Sequence, residues 1–191
     1  PEEPLLKSGM QVGNQLVLTK PIGTGVLLAG AMQGKTSARD LMSSIEMMDQ
    51  SNALAARILR DHGATACTDV TGFGLLGHLG EMMRASDRTV VIDALAVPVL
   101  AGASDLMVVG IESSLQQNNE QATKDFEVPE AHTHTPVLRL LADPQTAGGL
   151  LASIPRDASA SCVVSLAQHG YERAHVVGMV TDELTSRIRV S

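Results

Sequence analysis

The chain is predicted to fold as a mixed α/β (α+β) domain, with helices packed on a mixed sheet. Short β-branched runs alternate with longer segments of helical apolar spacing, without a strict strand-helix-strand repeat. Its 191 residues are 44% apolar, which is enough for one substantial core. Trp is absent and only one Tyr and two Phe are present, so aliphatic side chains and Met must build this core. We therefore expect one domain over residues 1–191.

The first half of the chain predicts strands separated by helices. A strand is expected at 16–19, and the glycines of 21–25 indicate a sharp turn. Ser37 is a suitable N-cap, and apolar residues then recur at helical spacing as far as the His-Gly pair at 62–63, which predicts one long helix. Further along, the pattern predicts a strand before Asp69, a helix at 75–84, a strand at 89–92 and a helix at 99–109.

The second half begins with a change of composition. Residues 112–135 are rich in Gln, Asn, Glu, Thr and His and poor in apolar residues, so we expect a surface excursion within the domain. The remaining pattern predicts helices at 136–141 and 158–169 and extended segments at 149–154, 174–181 and 187–190.

Charge and cysteine content exclude several classes of protein. A net charge of −7 without a basic cluster, together with the scarcity of aromatic side chains, argues against nucleic-acid binding. Cys67 and Cys162 form no CxxC pair and no signal-like segment is present, which favours reduced thiols in the cytoplasm. The apolar runs are too short and too interrupted to predict a membrane span.

One segment indicates phosphate and metal chemistry. Asp69 lies between a short β-branched run and the glycine-rich turn that leads into an apolar helix. A carboxylate at a strand end suits Mg²⁺, while Gly72 and Gly74 let the backbone approach a polyphosphate closely. A plain connector in which Asp69 caps a turn or helix is the alternative.

Two further motifs make the pattern specific. They are Leu-Thr-Lys-Pro-Ile-Gly-Thr-Gly at 18–25 and Asp-Pro-Gln-Thr-Ala-Gly-Gly at 143–149, on either side of Thr-Asp-Val-Thr-Gly-Phe-Gly at 68–74. In this order they resemble selenophosphate synthetase (selenide, water dikinase), specifically its C-terminal domain. That domain is shared with the aminoimidazole ribonucleotide synthetase superfamily. The resemblance runs from about residue 11 to about residue 179. The 112–135 segment departs from it, because the family more often carries glycines near an asparagine there.

The resemblance implies an enzyme that converts ATP, selenide and water into selenophosphate, AMP and phosphate. It also implies that the reactive Cys or Sec, a lysine and further metal aspartates lie in an N-terminal domain. We therefore expect a fragment that holds no catalytic residue, is inactive alone and requires that domain as its partner. The full enzyme is expected to be a homodimer that dimerises mainly through the absent domain, so the fragment itself is expected to be monomeric.

Carried over by residue, the resemblance implies that Asp69 is a Mg²⁺ ligand and that the three loops contact ATP. The residues expected to bind the nucleotide are Lys20, Gly23, Thr24, Gly25, Thr71, Gly72, Gly74, Thr146, Gly148 and Gly149. Their alternative roles are structural: a solvated lysine, a capping threonine and glycines that serve tight turns. The 18–25 loop lacks the Gly-Lys-Ser/Thr ending of a Walker A sequence.

Roles can also be suggested for several other polar residues. Asn52 is expected in the long helix, where it positions the aspartate loop, and Asp143 and Gln145 are expected either to line the cleft or to form a connector. His78 is expected to pack or to support the site.

His132 and His134 could share a metal but lack a third ligand, so a solvated loop is favoured. Cys67 has no accompanying base that would make it a nucleophile.

Two other functions remain open at this stage. One is another enzyme of the superfamily, such as aminoimidazole ribonucleotide synthetase, thiamine-monophosphate kinase or the hydrogenase-maturation dehydratase. The other is a non-catalytic interaction module that retained the fold. The motifs at 68–74 and 143–149 favour the selenium enzyme.

Overall fold

A mixed seven-stranded sheet organises the described residues, 4–128 and 135–190, of the computed structural model. Its strand order is β2-β5-β1-β6-β3-β7-β4. The pairs are antiparallel except β3 with β7 and β7 with β4, which are parallel. The strands are β1 (Gln15–Leu18), β2 (Ala66–Asp69), β3 (Thr89–Asp93), β4 (Phe126–Glu127), β5 (Leu150–Ile154), β6 (His175–Thr181) and β7 (Ser186–Arg189).

Helices cover both faces of this sheet. Along β1, Leu16 and Leu18 enter the larger apolar cluster while Val17 enters the smaller one, as the two-residue period of a strand requires. Helices α3 and α8 pack in the smaller cluster, and α1, α4, α5 and α7 pack in the larger one. The helices are α1 (Thr24–Met32), α2 (Ala38–Asp49), α3 (Ala53–Asp61), α4 (Gly74–Ser86), α5 (Ala103–Val108), α6 (Gln116–Asn119), α7 (Pro136–Leu141) and α8 (Arg156–Gln168).

The predicted mixed α/β class is confirmed, and most predicted elements are present within a few residues of their expected bounds. Helix α7 has the predicted bounds, and Ser37 caps α2 by accepting a 3.1 Å hydrogen bond from the Asp40 N–H. The predicted helix at 99–109 is shorter, because it begins at Ala103.

The single long helix predicted for 37–63 was wrong. The chain breaks between α2 and α3, where Gln50 is extended and its carbonyl accepts a 2.6 Å hydrogen bond from Lys20 Nζ. The Tyr171 hydroxyl donates to the Ser51 carbonyl at 2.6 Å. Asn52 therefore lies at the N-cap of α3 and not inside a helix. Apolar residues recur at helical spacing on both sides of the break, so the pattern does not reveal it, although α3 buries Ala55, Ile58 and Leu59 whereas the buried residue of α2 is Ser44.

The sequence pattern did not predict α1. Buried residues lie on several sides of this helix, including Thr24, Val26, Leu27, Ala29 and Gly30. A helix enclosed in this way lacks the polar face that produces helical periodicity.

The described part of the 112–135 segment packs against the domain through two buried amides, Gln116 and Asn119. Phe126 is also buried, and it pairs with β7 as part of the short strand β4. Composition alone indicated none of these contacts. His132 and His134 lie outside the described residues.

Within 4–128 and 135–190, none of the helices combines the length and the hydrophobicity that a membrane span requires.

Candidate functional site

The three sequence motifs meet at one end of the sheet. Strand β5 lies between β1 and β2 and runs antiparallel to both, so the last residues of β1 and β2 lie beside the first residues of β5. Asp69 pairs with Leu150, and Leu18 pairs with Leu151. The Val70 N–H donates to the Gly149 carbonyl at 2.9 Å, which joins the second motif directly to the third.

Asp69 is exposed at the end of β2, and no hydrogen bond or ion pair occupies its carboxylate within the described residues. No group of three or more His, Cys, Asp or Glu side chains in 4–128 and 135–190 is placed to hold a metal ion. Mg²⁺ is often bound through one or two carboxylates, with phosphate and water oxygens completing the octahedron. The residues present therefore fit a metal ion that Asp69 holds together with a phosphate and groups from outside this chain.

A cleft of about 430 Å³ brings residues of all three motifs together. Its lining includes Gly25, Gly72 and Thr146, one from each motif, together with the apolar side chains of Met32 and Leu115. An added Cβ at Gly72 would meet no atom within 4 Å, so the backbone is open to a ligand at this point.

Gln145 clamps the first motif to the third. Its Oε1 accepts hydrogen bonds from the Gly23 N–H at 2.9 Å, the Thr24 N–H at 3.2 Å and the Thr24 hydroxyl at 3.1 Å. The Thr146 N–H donates back to Thr24 Oγ1 at 2.8 Å. These donors of the predicted nucleotide loop are thus engaged with protein atoms in this structure.

Asp143 completes the clamp from a fully buried position. Its Oδ2 accepts from the Gly25 N–H at 3.1 Å and from Gln145 Nε2 at 3.0 Å, while its Oδ1 has no partner within the described residues. Burial raises the pKa of this carboxyl to about 7, against the opposing effect of hydrogen bonds from Gln145, Gly25 and Val26.

Lys20 lies apart from the motif cleft. Only 2% of the residue is exposed, and its Nζ donates to the carbonyls of Gln50 at 2.6 Å and Ala147 at 3.2 Å. Burial lowers the pKa of this ammonium. Lys20 lines a second cleft of about 380 Å³, beside α2 and the turn at 170–173. The structure therefore does not bring Lys20 to the cleft that Gly72 lines.

The other motif glycines permit close backbone approaches. A Cβ at Gly148 would lie 2.3 Å from the Val70 carbonyl oxygen, and backbone oxygen cannot move away as a flexible side chain can. The equivalent Cβ would lie 2.4 Å from Pro144 O at Gly25, 2.6 Å from Lys20 N at Gly149, 2.7 Å from Ala142 O at Gly74 and 2.7 Å from Ala103 Cβ at Gly23. These glycines hold the loops together, and any contact they make with a nucleotide stays a prediction.

Thr71 begins a chain of hydrogen bonds that runs into α4. Its Oγ1 lies 2.9 Å from His78 Nε2, and His78 Nδ1 lies 2.9 Å from Glu81 Oε2. Lys7 Nζ donates to the same Glu81 oxygen at 2.6 Å. The Phe73 ring lies 5.5 Å from the His78 ring, measured between centroids. The predicted supporting role of His78 thus has a defined contact, the Thr71 hydroxyl.

Two asparagines tie the loops to other elements. Asn119 Nδ2 donates to the Gly72 carbonyl at 2.8 Å and to the Ala142 carbonyl at 3.0 Å, so it joins the second motif to the residue that precedes the third. Asn52 Nδ2 donates to the Gly148 carbonyl at 2.9 Å, which positions the third motif and not the aspartate loop. Sequence reasoning missed Asn119 because it lies in a run of Gln and Asn where nothing distinguishes one amide from the next.

Cys67 is buried in β2, two residues before Asp69. Burial, followed by the negative charge of Asp69, raises the pKa of the Cys67 thiol to about 12. A thiol held in the protonated form is a poor nucleophile, in agreement with the sequence interpretation.

Curated relatives match nearly the whole chain. It is 34% identical over 181 residues to a protein from Clostridioides difficile (strain 630) named "Selenide, water dikinase", and the match covers 94% of this chain and 52% of the relative. It is 36% identical over 190 residues to a protein of the same name from Pelobacter propionicus, covering 100% of this chain and 55% of the relative. The chain thus spans about half the length of these relatives.

Solved structures share the fold at low identity. Hydrogenase Maturation Protein HypE superposes with a TM-score of 0.69 at 17% identity, over 95% of this chain and 49% of that protein. HypE in complex with ATP gives a TM-score of 0.68 at 17% identity, over 93% of this chain and 45% of that protein.

The family described as "AIR synthase related protein, C-terminal domain" matches residues 11–191, which include all three motifs and every strand of the described sheet. On this match, the chain belongs to the AIR synthase related protein, C-terminal domain family.

Proposed function

We propose that this chain acts as the C-terminal domain of an ATP-dependent selenophosphate synthetase. The reaction would convert ATP, selenide and water into selenophosphate, AMP and phosphate. The observation that carries the proposal is the convergence of the three motifs at one sheet end, where the Asp69 carboxylate has no partner among the described residues and the Gly72 turn, three residues later, is open. The relatives named "Selenide, water dikinase" support the choice of substrate.

Asp69 is assigned as a Mg²⁺ ligand of the full protein. When bound, the ion would neutralise charge on the phosphates during phosphoryl transfer. Thr71, Gly72 and Thr146 are assigned to the surface that faces the polyphosphate. Lys20, Gly23, Thr24, Gly25, Gly74, Gly148 and Gly149 are assigned to the loops that shape this surface, and direct nucleotide contact by them is a further prediction.

The chain is assigned half of a cleft that an N-terminal domain completes. Phosphoryl transfer depends on positioning and on charge neutralisation, so one exposed carboxylate without a cluster of further metal ligands in 4–128 and 135–190 is not sufficient for it. The similarity to relatives of about twice this length supports a partner domain that supplies the remaining ligands and the reactive Cys or Sec. This chain is therefore expected to be inactive alone, and the full enzyme is expected to be a homodimer.

Two further features fit this assignment. HypE, which shares the fold, has been solved in complex with ATP. Both cysteines of this chain are free and buried, which is compatible with a reducing compartment, and we assign the protein to the cytoplasm.

The experiment is ³¹P NMR of the complete parent polypeptide with ATP, Mg²⁺ and selenide under anaerobic conditions. Formation of selenophosphate together with AMP and phosphate is expected. ADP as the only product, or turnover that does not depend on selenide, would assign the chain to another enzyme of the superfamily. Absence of any turnover would favour an interaction module.

A further inference from the structure

A continuous chain of hydrogen bonds connects the aspartate loop to the N-terminal segment through the buried His78 ring. His78 is 4% exposed, and its two ring nitrogens contact Thr71 Oγ1 and Glu81 Oε2, each at 2.9 Å. Lys7 Nζ contacts the same Glu81 oxygen at 2.6 Å. The exposed Phe73 ring lies 5.5 Å from the His78 ring, measured between centroids. Every polar atom of the His78 side chain is therefore engaged.

The direction of these hydrogen bonds follows from Glu81. A hydrogen bond from Lys7, and after it one from His78, lowers the pKa of this carboxyl. An ionised carboxylate only accepts hydrogen bonds, so His78 Nδ1 must carry a hydrogen. In the neutral ring the other nitrogen, Nε2, is then an acceptor, and the hydroxyl of Thr71 must be the donor.

We propose that His78 is a positioning residue that fixes Thr71 Oγ1 as a hydrogen-bond acceptor two residues after Asp69. Because its hydrogen is directed to His78, the hydroxyl has only lone pairs to offer a ligand. It can accept from a water molecule of a hydrated divalent cation held by Asp69, and it cannot donate to an anionic phosphate oxygen. This rests on the proposed function and sharpens it, because within the surface that faces the polyphosphate it assigns Thr71 to a water molecule on the metal ion and leaves direct phosphate contact to other groups.

The direct test reads the His78 tautomer in the 191-residue chain. Long-range ¹H–¹⁵N spectra of histidine-labelled protein at about pH 8, above the ordinary histidine pKa of ~6.5, report which ring nitrogen carries hydrogen. The Nδ1–H tautomer is expected for His78. His175 serves as internal reference, because it is exposed and has no ring hydrogen bond within the described part of the chain. An Nε2–H tautomer, or a doubly protonated ring, would overturn the inference.

A variant pair identifies the group responsible. Glu81→Ala removes the acceptor at Nδ1, so the His78 signals are expected to move toward the Nε2–H form. Glu46→Ala removes an exposed carboxylate on α2 and is expected to leave those signals unchanged. Unchanged His78 signals in Glu81→Ala would contradict the proposed role of Glu81.

A second pair tests the consequence for the reaction of the parent protein. In His78→Gln the side-chain amide reaches the position of Nε2 and can accept from Thr71, whereas in His78→Asn it reaches only the position of Nδ1. Loss of one hydrogen bond of ordinary strength predicts about fivefold to tenfold lower turnover at limiting Mg²⁺ for Asn than for Gln. In a Thr71→Val background the two variants are expected to be equal.

Equal loss in both His78 variants with Thr71 intact would overturn the positioning role. The Nδ1–H tautomer in a parent that forms no selenophosphate would support the orientation of Thr71 and reject the proposed function. The two proposals therefore fail separately.

Discussion

The first and second motifs lie at the same end of the sheet, but they differ in whether their polar groups are bonded to the protein. In the loop at 18–25 the N–H groups of Gly23, Thr24 and Gly25 donate to side chains of the third motif. In the loop at 68–74, by contrast, Asp69 is exposed without a partner in the described residues, and a side chain at Gly72 would meet open space. The polar groups of a sequence motif can therefore either bond to other loops of the protein or remain available to a ligand.

The sharpest test of this comparison is Asp69→Asn in the parent protein. We expect turnover to fall by about 100-fold or more, because the amide cannot replace the carboxylate charge at the metal. The free energy of unfolding of the 191-residue chain should change by less than about 0.5 kcal/mol, since the side chain is exposed. Turnover by ³¹P NMR and urea unfolding provide the two measurements.

Asp61→Asn is the matched control, because Asp61 is exposed at the end of α3 and lies in none of the three motifs. It should leave both turnover and stability near those of the unmodified protein. Turnover of Asp69→Asn close to normal at saturating Mg²⁺ would reject the metal assignment.

Asp143, which binds the first motif, predicts that the free energy of unfolding depends on pH. Folding raises the pKa of Asp143 from 3.8 to about 7, so the folded state retains a proton that the unfolded state releases. The free energy of unfolding should therefore fall as the pH rises between these values, by up to about 4 kcal/mol. In Asp143→Asn this contribution is absent. Urea unfolding at a series of pH values measures the difference, and parallel curves for the two proteins would contradict the prediction.

A pair of glycine substitutions contrasts the two kinds of loop position. Gly148→Ala places a Cβ 2.3 Å from the Val70 carbonyl oxygen, so a loss of about 3 kcal/mol in the free energy of unfolding is expected. Gly72→Ala meets no atom within 4 Å and should change it by less than about 1 kcal/mol. Chemical denaturation of both variants gives the comparison. Equal losses would mean that the Gly72 turn is as tightly packed as Gly148.

The smallest expected effect concerns the Asn119 amide, which joins the second motif to Ala142, the residue before the third motif. Asn119→Ala leaves the carbonyls of Gly72 and Ala142 without their donor, so we expect a loss of about 2 kcal/mol. Asn118→Ala, at the exposed neighbouring position, should cost less than about 0.5 kcal/mol. Thermal or urea unfolding distinguishes them, and similar stabilities for the two variants would show that the Asn119 bonds contribute little.

The elements that sequence predicted well are those with strong local signals. Ser37 caps α2 as expected, and α7 begins at Pro136, where proline suits the first helical turn. Helix α1 lacked such a signal because it is enclosed on several sides. The break before Asn52 was hidden because its causes, Lys20 and Tyr171, are distant in sequence.

The site residues divide in the same way. Local sequence was enough to propose Asp69 and Gly72 as site residues, because an acidic strand end and a glycine turn are neighbours along the chain. The hydrogen-bond partners of the other motif residues could not be identified from the sequence, because the partners are far apart along the chain. Gln145 and Gly23 are separated by 122 residues, and Asn119 and Gly72 by 47. Such pairs exist only after the sheet has brought them together.

By itself, then, the sequence determined the fold class, the order of most elements and the three segments proposed to form the site. These depend on residue type, spacing and turn chemistry, which act over a few neighbouring positions. Only the tertiary structure decided which of those residues remain available to a ligand. Lys20 and the N–H groups of the 18–25 loop are hydrogen-bonded to protein atoms, because buried polar groups must find partners within the protein. Asp69 lies at the exposed end of a strand, where water can solvate its carboxylate instead.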